Sequence, residues 1–293
     1  MVEEVRSAFI DEIIEIERLE NWTKHILTLK AQSIGVHTFF TAESSINVFV
    51  NDAAREMQQQ IAWKNNPFEY FLAVSAFVAK DWANPMRHPL IEQRRGLSLF
   101  DSDCEFNPQR NVVVVPLAMF NFSMPTSMWE RMFHIPRIGT RLSACLFRAT
   151  FSFNHPTDVV PMEHASMNLN HTLNCLTPHY QNKSEATSDF QKVEDFTAVN
   201  AAYETFQERL FSKQYLNVDY MLQGLGNVTA DQLFFVYYAL SRCKRPGMNG
   251  SAMMTVQQDS VNVPLMNFPE FAGAFKCPTD SPMNPSNKCS FWN

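Results

Sequence analysis

Histidine and glutamate side chains gather in one stretch of the sequence and could form a zinc site. The candidate ligands are His155, Glu163, His164, His171 and His179, in a segment interrupted by prolines. Zinc ligands on a helix usually follow short fixed spacings such as HxxxH, and no such spacing occurs here. We therefore expect solvent-facing histidines and no metal ion in this stretch.

Six cysteines, at positions 104, 145, 175, 243, 277 and 289, are the other reactive side chains. Their wide separation fits neither a paired zinc knuckle nor a CxxC redox site, so disulfides and reduced core thiols both remain open. Arg148 follows Cys145 by three residues, and its guanidinium could lower the pKa of the thiol and make it a nucleophile. Helical spacing places Cys145 on the apolar side, so an inert buried thiol is the favoured interpretation.

Helical periodicity predicts the elements that position these side chains. Apolar residues three and four apart predict a first helix with a stripe formed by Val2, Val5, Phe9, Ile13 and Ile16. The same spacing predicts helices over Asn47–Trp63, over Ile138–Ala149 and around Val199–Leu210. Four consecutive valines predict a buried strand within Asn111–Pro116.

Turn and capping residues complete the prediction of elements. Thr229 and Gln232 form a capping box in front of a further helix. Residues 153–188 are polar and broken by prolines, which predicts irregular structure with short helices, and the C-terminal tail is predicted as loop. The chain therefore reads as mostly helical with one small sheet.

The composition excludes several classes of protein. Only 8 glycines against 25 phenylalanines in 293 residues exclude collagen-like and disordered chains. The net charge of −6 argues against a nucleic-acid partner. Apolar stretches are shorter than the roughly 18 residues of a membrane span, and the acidic amphipathic start lacks the features of a signal peptide. We expect a globular chain that neither exports nor anchors itself.

Potential glycosylation sites favour an extracellular protein. Asn-x-Ser/Thr sequons begin at six positions: Asn21, Asn121, Asn170, Asn182, Asn227 and Asn249. The composition alone gives roughly three such sequons by chance. The surplus favours an extracellular location, and coincidence in an Asn-rich chain remains the alternative.

The C-terminal segment Asn267–Trp292 carries the pattern FxCxxxSxMNPxxKCxxW. This pattern closely resembles the end of the neprilysin and endothelin-converting-enzyme family of zinc metallopeptidases. Further matches follow in the family's order: Asn21–Lys24 with Ile34-Gly35, Asn107–Val112, Ala202-Tyr203, and Ala230–Phe235 leading to Cys243. The resemblance implies an α+β, predominantly helical fold, similar to the thermolysin-like (zincin) catalytic lobe with its small β-sheet.

The resemblance also indicates where the family's zinc site would lie. The family requires HExxH on a helix, where two histidines bind zinc and the glutamate activates a metal-bound water. The two histidine positions here hold Ala144 and Arg148, and the glutamate position holds Cys145. Alanine has no lone pair to donate, and a guanidinium is always charged and repels a cation. We therefore expect no zinc cofactor.

The remaining catalytic positions of the family are also changed. The third zinc ligand aligns with Gln191, whereas the family's aspartate is kept as Asp195. The oxyanion-binding histidine aligns near Met254 and the substrate-binding arginine near Ser260. The Asn-Ala pair that binds the substrate backbone aligns with Asp103 and Cys104.

Two side-chain pairings follow from the same alignment. The resemblance implies a disulfide between Cys175 and Cys289. Cys243 and Cys277 align with cysteines whose partners lie in the family's upstream lobe, so they pair with each other, stay reduced or belong to a longer protein. We also expect Arg148 to occupy the metal position and pair with Asp195, the alternative being that Arg148 points to solvent.

These observations predict a catalytically inactive, neprilysin-like pseudopeptidase. Residues 1–293 are expected to form a single C-terminal peptidase-type lobe, with a helical part over 1–100 and a degenerate catalytic core over 101–293, and without the upstream lobe. Expected partners are peptides or a neprilysin-family relative, and the expected location is extracellular or the ectodomain of a membrane protein. The alternative is a zinc metalloendopeptidase with relocated ligands, and a truncated product without a folded role also remains open.

Overall fold

The computed structural model of the chain describes residues 1–38, 103–108, 111–116, 119, 134–152, 159–180, 188–211, 228–243 and 250–291. The chain divides into two compact units. The first unit contains Met1–Val36, Phe106–Val113 and Ser123–Asn293, and the second contains His37–Glu105 and Val114–Phe122. The predicted helix over Asn47–Trp63 lies outside the described residues.

The described helices belong to the first unit. They are α1 (Val2–Glu15), α2 (Asn21–Ser33), α3 (Thr140–Phe151), α4 (Val159–Leu176), α5 (Asp189–Phe211), α6 (Ala230–Arg242), α7 (Gly250–Met266) and α8 (Pro269–Phe275). A π-helical turn, Ile135–Gly139, leads directly into α3. A 3-10 turn, Thr177–His179, extends α4. None of these described helices combines the length and the hydropathy needed to cross a membrane.

A three-stranded sheet contains the predicted valine strand. The strands are β1 (Gly35–Thr38), β2 (Glu105–Asn107) and β3 (Val112–Val115), in the spatial order β1-β3-β2. Val113 and Val115 are buried, whereas the two valines that alternate with them are only half-buried. The predicted strand is therefore confirmed and lies in the middle of the sheet, but one of its faces is less buried than predicted.

The core of the first unit is rich in aromatic side chains. A cluster of buried residues joins the π-helical turn to α5, α6, α7 and the start of α8: Ile135, Val199, Ala202, Phe206, Phe234, Phe235, Tyr238, Leu265 and Phe268. Tyr203 stacks on Phe235 with ring centroids 5.5 Å apart. Such aromatic contacts add to the stabilisation that burial of apolar surface provides, and they fix α5 against α6.

Most predicted helices are confirmed. The apolar stripe of α1 is buried, with Val5, Phe9 and Ile13 at most 1% exposed. The helices predicted over 138–149 and 199–210 are confirmed by α3 and α5. The capping box before α6 is also confirmed: Thr229 Oγ1 accepts a hydrogen bond from the Gln232 backbone N–H, and the Gln232 side chain accepts one from the Thr229 backbone N–H.

Two predictions of irregular structure were wrong. Residues 153–188 contain α4, an 18-residue helix. Asn168 and Thr172 are among the buried positions in the described part of this helix, so its buried face is partly polar and apolar periodicity does not reveal it. Asn168 Nδ2 donates to the Phe291 carbonyl (3.2 Å), so the amide nitrogen at this buried position is hydrogen-bonded. The tail is also not wholly loop, because Pro269 starts α8.

Candidate functional site: the positions of the family's zinc centre

Helix α3 carries three of the positions that the sequence analysis singled out. Ala144 and Cys145 are buried, and about a third of the Arg148 side chain (32%) is exposed. The buried face of α3 packs its aromatic residues Phe147 and Phe151 against each other and against Phe291 of the C-terminal segment. This packing fixes the rotation of α3 and leaves Arg148 directed at the neighbouring helix α5.

Arg148 forms an ion pair with Glu194 of α5. Arg148 Nε donates to Glu194 Oε2 (3.0 Å), and Arg148 Nη2 donates to Glu194 Oε1 (2.5 Å). Only 1% of the Glu194 side chain is exposed. Two parallel hydrogen bonds between a guanidinium and a carboxylate make the most specific form of ion pair in proteins. The predicted pairing of Arg148 with Asp195 is therefore wrong, since the adjacent carboxylate is the partner.

Asp195 is held by a different helix. Its Oδ1 accepts hydrogen bonds from Arg242 Nη1 of α6 (2.7 Å) and from Gln191 Nε2 on the preceding turn of α5 (3.1 Å). Asp195 is 5% exposed, so these donors compensate the loss of water around a buried carboxylate. Arg242 also lies over the Tyr238 ring, with its guanidinium carbon 5.5 Å from the ring centroid. Sequence reasoning missed Glu194 and Arg242, although Glu194 adjoins the predicted Asp195.

The side chains at these positions do not fit a zinc ion. Ala144 offers no ligand atom. The Arg148 guanidinium is bound to Glu194, and the Gln191 amide nitrogen is directed at Asp195. A zinc ion beside Arg148 would compete with the guanidinium for the Glu194 carboxylate. The positive charge of the guanidinium would also repel the zinc ion. The positions that the resemblance aligns with the family's zinc ligands hold an ion pair and an amide–carboxylate hydrogen bond.

The other predicted site residues are spread over different elements. Ser260 lies in α7, and its carbonyl accepts a hydrogen bond from Tyr238 Oη (3.3 Å). Burial raises the pKa of Tyr238 to about 12, so this hydroxyl remains a donor. Met254 also belongs to α7, but its side chain lies outside the described part of the chain. In the second unit, exposed Asp103 accepts a hydrogen bond from the Cys104 backbone N–H (3.0 Å).

The cysteines confirm one prediction and correct another. Cys175 and Cys289 form the disulfide that the resemblance implied. Cys104 and Cys145 are each disulfide-bonded, so the interpretation of Cys145 as a buried thiol was wrong and neither sulfur is available as a nucleophile. Cys243 and Cys277 are reduced and are not joined to each other.

The histidine-rich stretch does not assemble a metal site in the described residues. Glu163 and His171 are exposed on α4, and His164 is half-buried on the same helix. His179 bonds through Nδ1 to Asn267 Nδ2 (3.0 Å), and burial lowers its pKa. Among the described side chains, no three potential ligands from this stretch bring their ligand atoms within 4.8 Å of one another. His155 lies outside the described residues.

Part of the chain is similar in sequence to known proteins. Residues 160–291 match peptidase family M13. Neprilysin-21 of Caenorhabditis elegans is 44% identical over 77 residues, which are 24% of this chain and 10% of that protein. Other relatives include neprilysin-1 of that species, endothelin-converting enzyme-like 1 of Homo sapiens and endothelin-converting enzyme 1 of Rattus norvegicus. The chain therefore matches only a small part of the length of these relatives.

Solved structures share the fold over nearly the whole chain. The structure of a Haemonchus galactose-containing glycoprotein complex matches with a TM-score of 0.74 at 15% identity, over 99% of this chain and 48% of that one. The structure of PepO from Lactobacillus rhamnosis matches with a TM-score of 0.60 at 14% identity, over 100% of this chain and 46% of that one. The predicted fold, a mostly helical thermolysin-like lobe with a small sheet, is confirmed. The resemblance to the neprilysin and endothelin-converting-enzyme family is therefore confirmed over residues 160–291, the part of the chain that matches peptidase family M13.

Proposed function

We propose that this chain is a catalytically inactive member of peptidase family M13. The observation that carries this proposal is the bidentate ion pair between Arg148 and Glu194, which stands where the family's second zinc-binding histidine would act. Buried Glu194 requires a positive charge for its stability, and Arg148 supplies that charge permanently. In this proposal Arg148 and Glu194 join α3 to α5 directly, a role that the metal ion has in an active member of the family.

The chemistry of peptide hydrolysis supports the same proposal. A zinc peptidase needs a metal to polarise the carbonyl, a base to activate water and a donor to stabilise the oxyanion. At the base position, the Cys145 sulfur is held in a disulfide and cannot accept a proton. At the third ligand position, the Gln191 amide bonds to Asp195. Loss of several such groups removes the mechanism, because their contributions act together.

The proposed role is association with peptides or with a relative from the same family. A lobe of this fold that has lost its catalytic groups still has a surface on which a peptide or a relative could bind. Such binding does not require a metal ion. One structural neighbour was solved as part of a glycoprotein complex, which supports assembly as a function for this fold. We further propose an extracellular location, supported by the Cys175–Cys289 disulfide and by sequons at exposed Asn21 and Asn170. A mass shift on treatment with an N-glycosidase tests this location.

A peptidase assay with an inhibitor control tests the inactive state. Purified protein is incubated with a bradykinin- or enkephalin-type peptide, with and without phosphoramidon, beside an active neprilysin as a positive control. We expect the positive control alone to cleave the peptide in a phosphoramidon-sensitive way. Phosphoramidon-sensitive cleavage by this chain that is lost in the Gln191→Ala and Asp195→Ala variants would overturn the proposal. Cleavage that survives both substitutions would identify a contaminating protease.

A further inference from the structure

A cavity of about 460 Å³ lies in the first unit, and none of the ion-paired residues described above lines it. Its walls come from α1, from the middle of α5, from the α7–α8 junction and from the C-terminal segment 288–291. Cavities of this volume accommodate small organic ligands. It contains none of the positions aligned with the family's zinc site, so an inference about it does not rest on the proposed loss of catalysis.

One wall of the cavity is acidic. It is formed by Glu12 and Glu15 of α1 and by Glu204 of α5. Glu12 is 4% exposed, and neither of its carboxylate oxygens has a hydrogen-bond partner. Burial, followed by the charges of Glu204 and Glu15, raises the pKa of Glu12 well above its usual value. Burial and the charges of Glu15, Glu208 and Asp11 also raise the pKa of Glu204, to about 7.

The cation that lines the same cavity does not neutralise this wall. Lys288 Nζ donates to the Met266 carbonyl (2.7 Å), and its charge interacts with Glu270 rather than with the acidic wall. Neither Glu12 nor Glu204 has its pKa lowered by any basic group. A buried carboxylate without a donor is unfavourable in the empty cavity, and an incoming cation would relieve that cost.

Aromatic side chains form much of the remaining wall. Tyr203 and Phe196 project from α5, Phe268 from the α7–α8 junction and Phe291 from the C-terminal segment. The Tyr203 hydroxyl donates to Asp231 Oδ1 (3.0 Å), which fixes its ring. Aromatic faces attract ammonium and guanidinium groups and bury the alkyl chains that carry them. Carboxylates together with aromatic rings therefore favour an organic cation.

A bound metal ion fits these residues less well. Metal ligation by several carboxylates requires their oxygens to converge on one point. No three carboxylates of the acidic wall bring oxygens within 4.8 Å of one another in the described part of the chain. A guanidinium or an ammonium on an alkyl chain is longer, and it can reach carboxylates that stand farther apart.

We propose that this cavity binds an organic cation, a guanidinium or ammonium group on an alkyl chain, with Glu12 as the buried counter-ion. Such a group is carried either by a free diamine-type metabolite or by a basic side chain of a peptide. Agmatine represents the first source, and N-acetylarginine amide represents the second. N-acetylcitrulline amide has nearly the same shape as the arginine compound without its charge.

Calorimetric titration of the full chain with these three compounds tests the proposal. We expect saturable binding of agmatine, of N-acetylarginine amide or of both, and no binding of the citrulline compound. The compound that binds more tightly identifies the source of the cation. Glu12→Gln keeps the shape of the side chain and removes its charge, so we expect it to weaken binding roughly thirtyfold or more.

Two further variants serve as controls for the effect of Glu12→Gln on binding. Glu3→Gln changes an exposed carboxylate (78% exposed) on the same helix α1, outside the cavity, and should leave binding unchanged. Glu204→Gln should weaken binding and serves as the test if Glu12→Gln does not fold. The proposal is overturned if neither cation binds, if the citrulline compound binds equally well, or if Glu3→Gln weakens binding as much as Glu12→Gln. None of these measurements depends on peptidase activity, so the cation-binding proposal can fail or succeed independently of the proposed loss of catalysis.

Discussion

At the scale of single residues, the most informative contact is the ion pair that Arg148 forms with Glu194. Asp195 and Glu194 are adjacent on α5, so their side chains leave the helix about 100° apart. Only one of them can face α3, and that residue is Glu194. The other turns towards α6, where Arg242 meets it. Two guanidiniums and two carboxylates thus form two separate pairs.

Double-mutant cycles distinguish these pairs. Arg148→Ala should lower the free energy of unfolding by about 3 kcal/mol, because it leaves the carboxylate of Glu194 buried without this partner. Arg148→Ala combined with Glu194→Gln should be clearly non-additive, whereas the cycle of Arg148→Ala with Asp195→Asn should be additive within about 0.5 kcal/mol. Chemical denaturation of the six proteins provides the measurement. Equal coupling in the two cycles would refute the assignment of partners.

Glu12 predicts a pH dependence of stability. Its folded pKa is raised well above 4.5, so the native state prefers the protonated acid. The associated stability is fully present below the unfolded pKa and is lost as the pH rises through the folded pKa. Thermal unfolding should therefore show lower stability at about pH 8 than at about pH 5, with a smaller contribution of the same sign from Glu204.

The substitution Glu12→Gln should remove most of this dependence. Because a buried, unpaired carboxylate is replaced by a neutral amide, we expect the variant to be more stable than wild type by about 1–3 kcal/mol at about pH 8. Glu3→Gln is the matched control on α1 and should follow the wild-type curve. A Glu12→Gln protein that loses stability at high pH as steeply as wild type would contradict the assigned pKa shift.

At the scale of elements, helix ends are the features that the sequence specifies most directly. The capping box of α6 joins Thr229 and Gln232 by two reciprocal hydrogen bonds. Thr229→Ala should lower the free energy of unfolding by about 1 kcal/mol, because one helix N–H loses its acceptor. Thr229→Ser retains an acceptor and should stay close to wild type in the same denaturant titration. A similar loss in both variants would show that the methyl group of Thr229, and not the cap, provides the stability.

Sequence reasoning located the elements better than it located the contacts between them. Apolar spacing identified α1, α3 and α5, and the family resemblance identified the Cys175–Cys289 disulfide. The alignment of Ala144, Arg148 and Gln191 with the family's zinc ligands stays a prediction. Sequence reasoning did not identify α4, whose buried face includes Asn168 and Thr172. It also did not identify Glu12, an acid on the apolar stripe of α1, or the partner of Arg148. These features depend on how helices are rotated against each other, which residue spacing along one helix does not encode.

At the scale of the whole molecule, the C-terminal segment is attached to the first unit by covalent and polar contacts. The Cys175–Cys289 disulfide spans 114 residues of sequence. Beside it, the Cys289 N–H donates to Asn267 Oδ1 (2.8 Å), and the Phe291 side chain is fully buried. This segment also forms one wall of the acidic cavity. Its attachment therefore matters for both stability and the proposed cation site.

Removal of this disulfide should destabilise the fold strongly. Because the cross-link closes a long loop, Cys175→Ala together with Cys289→Ala should lower the free energy of unfolding by about 2–5 kcal/mol. The variant Cys243→Ala changes a reduced, exposed cysteine and should have little effect on stability. Denaturation under non-reducing conditions checks both. A double variant as stable as wild type would mean that the polar contacts alone hold the segment.

The zinc content of the purified protein tests the central claim most directly. The chain is dialysed against a small excess of zinc, separated from unbound metal and analysed by inductively coupled plasma mass spectrometry, with an active neprilysin as the reference. Because Arg148 is paired with Glu194 at the position that the resemblance aligns with a zinc ligand, we predict zinc far below one ion per chain, against one ion per chain in the reference. One tightly held zinc ion per chain, lost in the Gln191→Ala variant, would contradict the account.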